Sequence, residues 1–67
     1  MEIGKIIKEQ RIKKGLTQKE LAELLKVSAQ AVSKWERGGT PDILLLVPLA
    51  KALGISLNLL LDYAEND

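Results

Sequence analysis

The stretch from Thr17 to Gly38, TQKELAELLKVSAQAVSKWERG, constrains the fold more than any other part of the chain. Thr17 followed three residues later by Glu20 is a capping box, the signature of a helix N-terminus. Leu16 stands ready to staple onto Leu21. The helix that starts there runs to about Leu25, with Leu21, Ala22, Leu24 and Leu25 turned inward. Lys26 occupies the turn. Ser28 caps a further helix over residues 28–36, whose inward positions are Ala31, Val32 and Trp35, and Gly38-Gly39 stops it. Two short helices joined this closely cannot both bury a face on each other alone, so the remaining chain must supply the floor on which they rest.

The flanking sequence is patterned to do so. Residues 2–14 place Ile3, Ile6 and Ile7 at helical spacing, with Gln10 in register behind them, and Gly15 suits the left-handed position that ends a helix. Thr40-Pro41 reads as extended, because a residue before proline is pushed out of the helical region. Asp42 caps a fourth helix carrying Ile43, Leu46, Val47, Leu49, Ala50 and Leu53, closed by Gly54. Pro48 forces an irregular first turn there, or a helix that properly starts near Leu45. Ser56 caps a short fifth helix, residues 57–62, offering Leu57, Leu60 and Leu61 for packing, and Ala64 to Asp67 is expected to fray. No β alternation appears. The expectation is one all-α domain over residues 1–67, a compact five-helix bundle.

With 67 residues, 46% of them hydrophobic, a dense apolar core has to carry the stability. The absence of Cys and His excludes disulfides and the commonest metal sites, and no cofactor or small-molecule site is legible. The longest apolar run, Ile43 to Ala50, is too short for a membrane span, and no signal-peptide pattern precedes it, so a cytoplasmic location is expected. Nothing resembles a nucleophile–base pair, a carboxylate pair in a cleft or a Gly-rich phosphate loop, which argues against an enzyme. Net charge is only +1, yet residues 1–37 hold nine of the ten Lys/Arg and five of the nine acids, while residues 38–67 carry Lys51 against Asp42, Asp62, Glu65 and Asp67. A first half at +4 and a second at −3 puts a polyanion-facing surface on the first half, although solvated helix faces carry such residues too.

Helix, tight turn, helix is the form that lays its second helix in the major groove of DNA. At residues 17–38 the chain resembles the phage-repressor/Cro-type helix-turn-helix family, the XRE-like group of bacterial and phage regulators. The resemblance rests on Gly15-Leu16-Thr17-Gln18, Glu20-Leu21-Ala22, Val27-Ser28, Val32 to Gly38, Pro41-Asp42-Ile43 and Leu49 to Ser56, in that order and spacing, and it runs from Ile3 to Leu61. It implies a lambda-repressor-like bundle with the helix-turn-helix in helices two and three. Ala22 is then small because the motif helices cross there. The family usually places Gly in the turn where this chain has Lys26, so a non-Gly residue is expected at positive φ.

On a recognition helix opening at Ser28, the N-terminal turn and outward stripe expected to read bases are Ser28, Ala29, Gln30, Ser33 and Lys34. Gln30 suits a bidentate pair with adenine, Lys34 reaches guanine or a phosphate, and Ala29 offers a methyl to thymine. Ser33 permits close approach or bonds a phosphate. Gln18, at the start of helix two, lies by free backbone N–H groups that attract phosphate. The resemblance gives it that role together with bracing the recognition helix. It also implies a partly buried ion pair between Arg11 and Glu36, with Arg11 aimed toward the DNA backbone, and phosphate contacts from Arg37 and Thr40. Lys14 and Lys19 are lesser candidates. Trp35 lies on the Val32 face, which suits core packing. One Trp, one Tyr and no Phe do not suit a single-strand binder.

Leu44, Leu45, Leu59 and Leu61 exceed what one small core holds, and relatives often have polar residues at the positions of Leu44 and Leu59. A twofold homodimer through helices four and five is therefore expected, with recognition helices about 34 Å apart on a pseudo-palindrome. Ile6 and Ile12 form a second, smaller candidate patch. The leading reading is a sequence-specific double-stranded DNA binder that regulates transcription, as a repressor by occlusion. The alternative is an antitoxin-like or anti-repressor interaction module that binds DNA weakly.

Overall fold

The computed structural model describes residues 3–65, with the backbone alone for 63–65. In chain order it contains α1 (Ile3–Lys13), α2 (Gln18–Leu25), α3 (Ala29–Glu36), a single 3-10 turn (Ile43–Leu45), α4 (Leu46–Leu53) and α5 (Leu57–Glu65). No strand occurs among the described residues. The helix starts follow local side-chain chemistry. Thr17 and Glu20 form the reciprocal capping box, with Glu20 N–H donating to Thr17 Oγ1 at 3.0 Å and Thr17 N–H to Glu20 Oε1 at 2.8 Å. Ser28 Oγ accepts from Ala31 N–H, and Ser56 Oγ accepts from Leu59 N–H, both at 3.1 Å. Asp42 accepts from Leu44 N–H at 2.9 Å. The irregular turn expected from Pro48 is the 3-10 turn: it lets α4 begin at Leu46, so Pro48 falls in the first turn, where an N–H has no helical partner to lose.

Four helices end alike. Just past each helix, a backbone N–H reaches back to the carbonyl five residues earlier: Leu16 to Arg11, Val27 to Ala22, Gly39 to Lys34 and Ile55 to Ala50, at 2.8–3.0 Å. This closure needs a positive φ at the residue before. Gly15, Gly38 and Gly54 supply it, and after α2 Lys26 supplies it at φ 59°. A side chain in that region costs on the order of 1 kcal/mol. Lys26→Gly is therefore expected to raise the melting temperature by several degrees, about 4–8 °C per kcal/mol in a domain of this size. A melt at or below that of the parent would show that no strain is stored there.

The core joins all five helices: Ile3, Ile6 and Ile7 from α1, Leu21, Ala22 and Leu25 from α2, Val32 and Trp35 from α3, Leu49, Ala50 and Leu53 from α4, and Leu60 from α5. Leu16, Val27, Ala31, Leu45, Leu46, Ala52, Ile55 and Leu57 pack around it, half-buried. Several expectations are corrected. Leu24 does not face inward but is 59% exposed, because α2 presents only the Leu21–Ala22–Leu25 stripe to its neighbours. Ile43 and Val47, counted among the apolar positions of helix four, are 77% and 48% exposed, because α4 buries only its Leu49–Ala50–Leu53 stripe. Ile6 is buried and so is core rather than surface patch, whereas Ile12 is exposed. Helix five continues past residue 62 to Glu65, so Ala64 and Glu65 are helical where fraying was expected; residues 66 and 67 lie outside the described residues.

Gly4 is the unforeseen contact. It is buried inside α1, where Gly costs about 1 kcal/mol relative to Ala. A Cβ there would land on the Trp35 carbonyl oxygen, with the Glu36 Cα also close. The missing side chain lets α1 cross the end of α3 backbone to backbone. Gly4→Ala is expected to lose about 1–3 kcal/mol by overpacking, despite its better helix propensity. A thermal melt equal to the parent's would refute the close crossing.

Candidate nucleic-acid interface

Val32 and Trp35 bury the inner side of α3, and this sets what the other side offers. Ser28, Ala29, Gln30, Lys34 and Arg37 are exposed, and Ser33 is half-buried between the two sides. Ser28 spends its hydroxyl oxygen as an acceptor on the cap. The Lys34 stem passes the Gly39 backbone, where a Cβ would meet its Cγ at 3.0 Å. Arg37 Nε donates to the Ser33 carbonyl at 3.3 Å, so the guanidinium folds back along the end of α3. Lys19, at the start of α2, and Thr40, in the loop after α3, are exposed.

A single carboxylate ties this surface to the rest of the fold. Glu36, at the last position of α3, is 3% exposed as a side chain. Arg11 Nε donates to its Oε2 at 2.7 Å, and Arg11 Nη2 to its Oε1 at 3.0 Å, a bidentate pair. Gln18 Nε2 donates to the same Oε1 at 3.0 Å. Arg11 Nη1 donates to the Leu16 carbonyl at 2.8 Å, which fixes the turn that leads into α2. Thus α1, α2 and α3 meet at Glu36. Burial alone pushes the Glu36 carboxyl up, but hydrogen bonds from Arg11 and Gln18, with the charges of Arg11 and Lys8, outweigh it and hold the group below its ordinary range. The bond to Glu36, set against a desolvation cost, raises Arg11 above its own ordinary value.

The structure thus brings Arg11, Gln18 and Glu36 together, and it sets Ala29, Gln30 and Lys34 on one exposed face. Three guanidinium N–H groups of Arg11 are engaged within the protein, and the side chain is 12% exposed. Gln18 keeps its amide oxygen and one N–H beyond the bond to Glu36. Lys14 is placed elsewhere: its ammonium lies against Gly54 at the C-terminal end of α4, where a cation offsets the helix dipole. Among the four leucines expected at a dimer interface, Leu44 is 82% and Leu59 is 37% exposed, while Leu45 and Leu61 are half-buried. Sequence reading did not assign Ile43 and Val47 to that surface, although their spacing four residues apart was the available signal. No helix among the described residues is long and apolar enough to cross a membrane, and no cluster of metal-ligating side chains occurs among them.

Comparison with known proteins agrees with this geometry. The family model described as "Helix-turn-helix" matches residues 7–60. The chain is 39% identical over 66 residues to the HTH-type transcriptional activator BcrR of Enterococcus faecalis, covering 97% of this chain and 32% of that protein. It is 36% identical over 58 residues to endothelial differentiation-related factor 1 of Homo sapiens, covering 85% of this chain and 39% of that protein. The chain thus spans about a third of the length of these curated relatives. Among solved structures, the clp gene regulator ClgR from C. glutamicum superposes with a TM-score of 0.80 at 35% identity, over 96% of this chain and 84% of that one. Motif, fold and relatives converge: the chain belongs to the XRE-type helix-turn-helix family of DNA-binding regulators.

Proposed function

We propose that this chain binds double-stranded DNA sequence-specifically through α3 and regulates transcription as a homodimer on a pseudo-palindromic operator. The observation that carries the reading is the exposed trio Ala29, Gln30 and Lys34 on a helix whose opposite side is buried and whose end is tied to α1 and α2 through Glu36. A rigid helix with free polar side chains is what base readout requires. Gln30 pairs with adenine, Lys34 reaches guanine or phosphate, and Ala29 touches a thymine methyl. Ser28 and Ser33 line the approach. Gln18, Lys19, Arg37 and Thr40 contact phosphates and set the register, and Arg11 acts on that surface mainly by holding Glu36.

Pairing of two copies is supported by the apolar surface on the second half of the chain, where Ile43 and Leu44 are exposed beside Val47. Leu45, Leu59 and Leu61 complete the face we assign to the dimer. We assign it repression by occlusion of the operator, in the cytoplasm. The activator named among the relatives is a protein of which this chain matches 32%. In vitro selection from random duplexes tests the reading, with a twofold-symmetric consensus as the expected result. Gln30→Ala is then expected to cost about 1–3 kcal/mol on the selected duplex while leaving the thermal melt unchanged, because Gln30 is exposed. Selection that yields no preferred sequence would favour an interaction module instead.

A further inference from the structure

The loop after α3 carries a glycine that its backbone does not require. In three of the four helix closures the residue whose N–H reaches back is large and apolar: Leu16, Val27 and Ile55. After α3 it is Gly39. Gly39 does not adopt the positive φ of Gly15, Gly38 and Gly54, so its conformation does not call for glycine. The missing side chain makes room for Lys34. A Cβ added at Gly39 would stand 3.0 Å from Lys34 Cγ and 2.9 Å from the Lys34 carbonyl oxygen. That oxygen accepts from Gly39 N–H at 2.8 Å and from Arg37 N–H at 3.1 Å, which holds it at the helix end. The exposed stem is the part that can yield. The other cation at this end is also laid against backbone, with Arg37 Nε donating to the Ser33 carbonyl at 3.3 Å.

We infer that Gly39 is a positioning residue for base readout: its bare backbone is the track along which the Lys34 stem leaves α3, and it thereby aims the Lys34 ammonium. The inference rests on the proposed role of Lys34 in reading a base. Where Cγ lies is set by the first side-chain torsion, so contact at Cγ selects the direction of the whole stem. A lysine is a point charge on a flexible four-carbon stem, and a free one neutralises phosphate without choosing a base. A stem already laid down loses less freedom on binding and meets an acceptor such as guanine O6 or N7 at a fixed distance. Gly39 needs no contact with DNA, because it acts through Lys34.

The test is selection of bound duplexes by the parent, Gly39→Ala, Lys34→Ala and the double variant, with circular dichroism to check folding. In Gly39→Ala the base preference at the position lost in Lys34→Ala is expected to fall about tenfold, with the other positions unchanged. The salt dependence of binding is expected to match the parent's, because the Lys34 charge remains at the interface. Lys34→Ala and the double variant are expected to select the same consensus, since without the stem Gly39 has nothing to position. In the free protein, nuclear Overhauser contacts between the Lys34 γ-protons and the Gly39 α-protons are expected, and they read the packing without DNA. Their absence overturns the inference. So does a Gly39→Ala protein that keeps the parent's consensus, weakens every duplex equally or fails to fold, because the glycine then serves the closure and not Lys34. A parent that selects no sequence removes base readout itself, a failure seen before any variant is compared.

Discussion

Glu36→Ala is expected to cost the domain about 3 kcal/mol, because it leaves the partly buried Arg11 guanidinium without its carboxylate partner. A chain of 67 residues holds only some 3–10 kcal/mol in total, so the variant sits near its unfolding threshold at ambient temperature. Arg11→Met is expected to do comparable damage from the other side, leaving a carboxylate that is 3% exposed with only Gln18 and the more distant Lys8 charge. The double variant Arg11→Met/Glu36→Met should lose less than either single one, since an apolar pair leaves no charge unpaired. Urea titrations of the three variants decide the matter, and a double variant worse than both singles would remove the buried-pair account.

The same carboxylate sets the acid limit. Its folded pKa is held below the ordinary 4.5. The stability it contributes is thus fully present above that value and is lost as pH falls through the lower folded one. Glu36→Gln should start less stable at neutral pH but lose less between the two values than the parent. Parallel acid-unfolding curves for the two proteins would contradict the shift.

The second large effect is on salt. Each copy presents Lys19, Lys34 and Arg37 as exposed cations around α3. If each neutralises one phosphate, a dimer releases about six counterions, and its affinity falls about 10³-fold between 50 and 200 mM salt; a single copy loses only about 40-fold over the same range. The slope therefore counts copies on the DNA as well as contacts. Lys19→Ala should reduce it by about one per copy with no change of preferred sequence. A slope near zero would contradict phosphate neutralisation by these residues, and a slope near that of one copy would contradict the dimer.

What the sequence determined by itself is local. The capping box of Thr17 and Glu20, the caps at Ser28, Asp42 and Ser56, and the glycine stops are interactions within a few residues, whereas the left-handed Lys26 was legible through resemblance. Their geometry is dictated by the backbone of one turn, so residue type and spacing suffice to read them. The helix-turn-helix order and its outward stripe were legible for the same reason, and the Arg11–Glu36 pair was legible through resemblance. What the tertiary structure decided depends on how helices cross. Gly4 needed the Trp35 carbonyl against it before its smallness had a reason. Gln18 carries an amide able to bond in several directions, and only the approach of α3 chose Glu36. Leu24, Ile43 and Val47 look like core in a one-dimensional pattern, and Ile6 fits both the core stripe and a surface patch. A helix apolar over a wide arc does not say which part of that arc meets its neighbours, because this depends on axial rotation, set by the packing of the whole bundle. Lys14 met the end of α4 for the same reason: residues far apart in the chain become neighbours only through those crossings.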